Sequence, residues 1–260
     1  MSQPGDIRSK IGDLAKEFSS VLEVLQERGA TVLPGRLSEL TPVEIPAVVS
    51  KQQATVALPP TDFGKEAKLD HLRKQAAECR RCRLATTRQS VVFGDGSSNS
   101  RVMFVGEGPG AREDETGHAF VGRAGQLLTK MLQAIGLERK DVYITNIVKC
   151  RPPRNRDPLP DEVAACRPFL DAQLATLKPA AIVALGRPSA HTLLKSDELL
   201  SKLRQTVHKF SNIPLLVTYH PAYLLRNPAR KASAWEDLRL LADLMIRAKV
   251  HPPLPAPWWQ

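Results

Sequence analysis

The stretch VGEGPGAREDETGHAF, residues 105–120, ends an apolar run in glycines and then sets Glu113, Asp114 and Glu115 side by side ahead of a lone Phe120. Glycines at a strand end let a ligand approach main-chain N–H groups closely, because no Cβ intervenes, so Gly106 and Gly108 are candidate binding positions. Glu107 and Glu113 are candidate acid–base groups, while Asp114 and Glu115 read as turn residues. Two more polar residues close apolar runs: Asn146 in YITNIVKC and His220 in TYHPAYLLRNP. A primary amide presents a donor and an acceptor side by side, suited to reading a nucleobase edge, and a histidine offers a donor to a developing anion. Three polar residues at the ends of three apolar strands favour one shared site over three separate caps.

The four cysteines are a second constellation. Cys79 and Cys82 form CRRC, and Cys150 and Cys166 follow in KCRPPRNR and ACRPFL, each beside arginine. Four thiolates close a tetrahedral zinc site or hold a 4Fe-4S cluster, and their spacing does not choose between the two. The plainer alternative is that they are core thiols, Cys166 above all, since it falls on the apolar face of a helix. The third constellation is basic. KCRPPRNR supplies Lys149, Arg154 and Arg156, and YLLRNPARK supplies Arg226 beside Leu224 and Leu225; cations position phosphates and an apolar tip can wedge open a base stack.

These groups need a scaffold. The apolar runs RVMFVG (101–106), VYITNIV (142–148), AAIVALG (180–186) and PLLVTYH (214–220) have the length and β-branched content of strands covered on both faces. Between them lie helical periods, Leu127 to Ile135 closed by Gly136 and Val163 to Leu177 closed by Pro179, with a last helix over 232–248. Alternation of this kind predicts a three-layer α/β/α domain around a mainly parallel four-stranded sheet, over residues 67–250. Its ligands would bind beyond the carboxyl ends of the strands. GEGPGA does not match the dinucleotide fingerprint, because a proline interrupts it and the helical period begins only after Gly122.

Ahead of this domain, residues 6–29 repeat apolar positions at spacings of three and four within an N-terminal extension (1–40), a candidate helix for a protein partner. Residues 41–66 are proline-rich and read as a linker, and 251–260 as a proline-rich tail. The chain has 260 residues and a net charge of +10. The charge is uneven: residues 61–260 hold 31 basic and 20 acidic side chains, which points to a polyanionic partner. With no membrane-length apolar run and no signal-peptide core, a cytoplasmic monomer is expected, where structural disulfides are rare and metal binding is the first alternative for the cysteines.

Taken together, GEGPG, ED, FVGRAGQLL, YITNIVKCRPPRNRDPLPDE, the four cysteines, ALG and YHPAYLLR resemble, in order, the iron-sulfur uracil-DNA glycosylases of family four, across roughly residues 68–248. The resemblance implies a 4Fe-4S cluster on Cys79, Cys82, Cys150 and Cys166, and hydrolysis of the N-glycosidic bond of deoxyuridine in single- or double-stranded DNA. It implies that Phe120 stacks on a flipped-out uracil, that Asn146 reads its edge, and that His220 and the amides around Glu107 and Gly108 stabilise its departure as an anion. Glu107 or Glu113 would position the attacking water. Two departures stand out: Ala119 replaces a proline before the aromatic, which predicts a looser turn, and the loop KCRPPRNRDP lacks the histidine of the uracil-crosslinking relatives. The competing readings are a catalytically silent iron-sulfur DNA-binding module and a zinc-stabilised α/β hydrolase of nucleosides or nucleotides.

Overall fold

Each of the four apolar runs is too short and too rich in β-branched residues to be stable alone, and each becomes a strand covered on both faces. The computed structural model describes residues 64–248. Strands β1 (Asp95–Gly96), β2 (Val102–Gly106), β3 (Val142–Asn146), β4 (Ala181–Leu185), β5 (His208–Phe210) and β6 (Ile213–Thr218) form a six-stranded sheet in the order β1-β3-β2-β4-β6-β5. The central four are parallel, and β1 and β5 pair antiparallel at the edges. The four expected strands are thus present. The two edge strands were not foreseen, because two or three residues carry no alternation to read.

Alternating side chains feed two separate cores, as a two-residue period requires. Met103, Val105, Ile182, Ala184, Leu215 and Val217 pack on one face, against α1 (Lys65–Ala77), α4 (Pro160–Leu177), α5 (Arg187–Leu194) and α6 (Leu200–Leu203). Val102, Phe104, Ile144, Val183 and Leu216 pack on the other, against α3 (Arg123–Ala134), α7 (Pro221–Arg226) and α8 (Lys231–Arg247). The result is the expected three layers.

Two segments differ from the sequence reading. Residues assigned to a turn form a short helix, α2 (Ala111–Thr116), and Asp114 within it is buried, accepting the Gln89 and Ser90 N–H groups. The segment after β6 is a helix, α7, and not a basic loop with an apolar tip. Leu224 is 1% exposed and packs with the α3 and α8 side chains of the second core, so it cannot serve as a wedge; Leu225 is its exposed neighbour. Burying a leucine contributes about 1.5–3 kcal/mol, which is the better account of this residue. The N-terminal extension, the linker up to residue 63 and the tail lie outside the described residues.

The chain leaves β2 for β3 on one side and then crosses to β4 on the other, so the direction of winding reverses between β2 and β4. Such a reversal opens a crevice beyond the carboxyl ends of the two strands.

Candidate active site

A cleft of about 710 Å³ lies at that crevice, lined by residues following β2, β3, β4 and β6. Gly106 and Asn146 are register partners at the last positions of β2 and β3, which brings the glycine-rich turn beside the amide. Glu107, Gly108, Glu113, Phe120, Asn146, His220, Arg156 and Arg226 all line the cleft. Gly106 does not line the cleft itself but lies behind two residues that do, Asn146 and Phe120. A Cβ there would lie 2.4 Å from Asn146 Oδ1 and 2.6 Å from the Phe120 ring, so only glycine lets amide and aromatic converge.

The polar groups are in unlike states. Asn146 is 1% exposed, and its Oδ1 is buried without a hydrogen-bond partner, a costly condition that a ligand donor would relieve. His220 caps α7, its Nδ1 accepting the Ala222 N–H at 3.1 Å. That bond leaves the proton on Nε2. Burial, helped by the Arg226 charge, pushes the ring down to about 4, so it is neutral at physiological pH. Its ring centroid lies 5.6 Å from that of Phe120.

The two candidate glutamates differ as well. Burial first, then the adjacent Asp157 carboxyl that hydrogen-bonds to it, pushes half-buried Glu107 up to about 7, with the Arg187 charge acting the other way. Asp157 is in turn 3.5 Å from Arg187. Glu113 Oε1 accepts the Val121 and Gly122 N–H groups at 2.9 and 2.8 Å, which ties α2 to the segment carrying Phe120.

The expected phosphate contacts divide. Arg226 and Arg154 are exposed, the first on the cleft and the second outside it. Arg156 makes a two-pronged pair with buried Glu162, at 2.8 and 2.6 Å, so it braces the loop that carries Asp157. Lys149 is a clear correction: it is 1% exposed, and its ammonium donates to Thr145 Oγ1, Asn146 O and Gln173 Oε1 at 2.6, 2.8 and 2.6 Å. Three polar acceptors, two of them on β3, stabilise it inside the protein; no phosphate can reach it. Nothing in the local pattern KC distinguishes such a lysine from a solvent-facing one.

The cysteines gather at a second pocket. All four line it, together with Arg81, Arg88, Lys149 and Phe169. Cys166 belongs to the first core and also lies on the wall of this pocket. Arg88 Nη1 donates to Cys150 Sγ at 3.2 Å and the Lys149 N–H to Cys166 Sγ at 3.2 Å. Burial pushes the Cys166 thiol up to about 12 and those of Cys82 and Cys150 above their ordinary value. Among the described residues, no three His, Cys, Asp or Glu side chains are grouped to hold a single metal ion. Sulfur is a soft donor, and Arg81, Arg88 and Lys149 stand on the same pocket wall.

Residues 93–239 match the family model of the Uracil DNA glycosylase superfamily. A type-4 uracil-DNA glycosylase of Sulfurisphaera tokodaii is 42% identical over 70% of this chain and 86% of its own length. One of Thermotoga maritima is 43% identical over 64% and 87%. A type-5 enzyme of Pyrobaculum aerophilum is 34% identical over 59% and 73%. The chain belongs to the uracil-DNA glycosylase superfamily and, within it, to the type-4 uracil-DNA glycosylases.

Sequence reasoning missed Asp157, beside Glu107, and Asp95 and Arg139, which hydrogen-bond to the main chain at Ala119 and Phe120. Asp157 lies in the basic loop KCRPPRNRDP, among arginines of opposite charge. The other two are distant in sequence from the motifs they touch.

Proposed function

We propose that this cleft receives a uracil flipped out of DNA and hydrolyses its N-glycosidic bond, leaving free uracil and an abasic site. The unpartnered Asn146 Oδ1, buried beside the Phe120 ring at the strand ends, carries this reading. Uracil offers it the N3–H, and the amide Nδ2–H group meets O4. Cytosine presents an acceptor and a donor at those places, and is refused because buried groups would be left unpaired. Phe120 stacks on the base, a contact worth about 1–3 kcal/mol.

As the N1–C1′ bond breaks, its electron pair moves onto the uracil ring and O2 gains charge. The His220 Nε2–H and the amides about Glu107 and Gly108 meet that charge. A donor of this kind is worth about 2.7–4 kcal/mol, because it is aimed before the reaction starts. The sugar becomes oxocarbenium-like, and a water oxygen attacks C1′ while its proton passes to a carboxylate. We assign that carboxylate to Glu107, which faces the cleft and is tuned to titrate near neutrality. Glu113 is a positioning residue, since its Oε1 is held by two amides. Exposed Arg226 and Arg154 are the candidates for phosphate contact.

Cys79, Cys82, Cys150 and Cys166 would hold a 4Fe-4S cluster, and the cavity they share and the donors on their sulfurs support that fit. The group's contribution there is structural: it would tie the α1 end of the chain to the segment between Cys150 and α4. The experiment for the whole reading is incubation of a uracil-containing oligonucleotide with the protein, then hot alkali. Strand scission that His220→Ala slows severely is expected, and no scission on single- or double-stranded uracil DNA overturns it.

A further inference from the structure

The ring assigned to stack on the base hangs from a backbone that prefers another shape. Phe120 has φ +54, a left-handed conformation that costs a residue with a Cβ about 1–2 kcal/mol. Such strain persists only where the surroundings over-determine it.

Here three charged side chains do so. Asp95 Oδ2 accepts the Ala119 N–H, and His118 Nδ1 lies 2.9 Å from Asp95 Oδ1. Arg139 donates Nη2 to Ala119 O at 2.7 Å and Nη1 to Phe120 O at 3.1 Å. Glu113 takes the Val121 and Gly122 N–H groups. Five main-chain groups between Ala119 and Gly122 are therefore held by charge. The charges also support one another: burial works against that of Arg139, and Asp95 and Glu113 sustain it.

Asp95 is itself fixed by design of the backbone. It stands between Gly94 and Gly96, at φ +137 and +130, and pairs with Ile144 of β3. A Cβ on Gly96 would fall 1.9 Å from Val142 O, so the approach of β1 to β3 that places the carboxylate requires glycine. The N–H that Asp95 receives exists because residue 119 is alanine; proline has none. The turn expected to be loose is held from outside.

We propose that Asp95 and Arg139 are positioning residues for base excision, a clamp that aims the Phe120 ring into the cleft; this rests on the stacking role assigned to Phe120 above. A misplacement of an ångström in a reacting assembly costs about a hundredfold. Removing the carboxylate is expected to reach the site through the ring, since Asp95 does not line the cleft.

The test uses the full chain, with Asp95→Ala, Phe120→Ala and the double variant assayed on a uracil oligonucleotide, and amide hydrogen exchange followed over residues 118–122. Asp95→Ala is expected to lower kcat/KM by about ten- to a hundredfold and to speed exchange at Ala119, Val121 and Gly122. In the Phe120→Ala background it is expected to have no further effect. Asp95→Asn keeps an acceptor for the Ala119 N–H and is expected to restore most of the activity. Where Asp95→Ala does not fold, Arg139→Lys replaces it, since an ammonium keeps the charge but cannot hold two carbonyls at once. Additive losses in the double variant, or unchanged exchange, overturn the clamp. A wild-type protein that excises no uracil defeats the functional reading instead, and the exchange measurement, which needs no turnover, still judges the clamp.

Discussion

The base cleft and the cysteine pocket lie on either side of one short segment, Asn146 to Cys150, and are built on opposite plans. In the cleft, polar atoms are left wanting: Asn146 Oδ1 has no partner, Glu107 is pushed up and His220 down. Around the cysteines, the Cys150 and Cys166 sulfurs already have donors, from Arg88 and the Lys149 main chain, and the unpartnered buried atom is a cation's, Arg81 Nη1. One region leaves an acceptor open toward a ligand, and the other leaves a donor beside its sulfurs. Lys149 joins the two. Its N–H holds Cys166 Sγ, and its ammonium holds the carbonyl of Asn146.

Several substitutions would break or sharpen that contrast. Glu107→Gln removes the group that takes the water proton, and is expected to lower kcat by about 10²–10⁴ on a uracil oligonucleotide, with the protein's melting temperature scarcely changed. His220→Ala is expected to cost about 10²–10³, in kcat more than in KM, because its donor matters as charge grows on the leaving base. Lys149→Met, on the seam, leaves buried acceptors unpaired and is expected to destabilise the fold by about 1–3 kcal/mol in urea unfolding, with loss of bound iron measured alongside. A Lys149→Met protein with unaltered stability would show that the two regions are independent.

The smallest effect is on pH. Glu107 must be ionised to act, so the rate falls as pH drops through about 7, while His220, neutral down to about 4, adds no limb above that value. Asp157→Asn removes the neighbouring negative charge and is expected to move the Glu107 limb toward lower pH. A rate profile whose midpoint stays in place would remove Asp157 from the account of the base.

The parallel strands were legible because each is covered on both faces, and a continuous apolar run then has little else to be. Polar residues closing those runs, Asn146 and His220, were legible for the same reason: the strand end fixes where they stand. What could not be read depends on contacts remote in sequence. Leu224 reads as an exposed tip until α3 and α8 are seen to cover it, and Lys149 reads as a surface cation until Thr145, Asn146 and Gln173 are seen around it. The two glutamates are equal in sequence; only the amides that meet Glu113 and the carboxyl that meets Glu107 tell them apart. Asp95 lies 25 residues before Phe120, and no periodicity links them.

The central claim is that the cleft releases a base, and chromatography of the free base tests it most directly. Wild-type protein incubated with a uracil-containing strand is predicted to liberate uracil and leave an intact backbone bearing abasic sites, with Glu107→Gln liberating little. DNA binding that weakens with salt while no uracil appears in solution would contradict it, and would leave a binding module in its place.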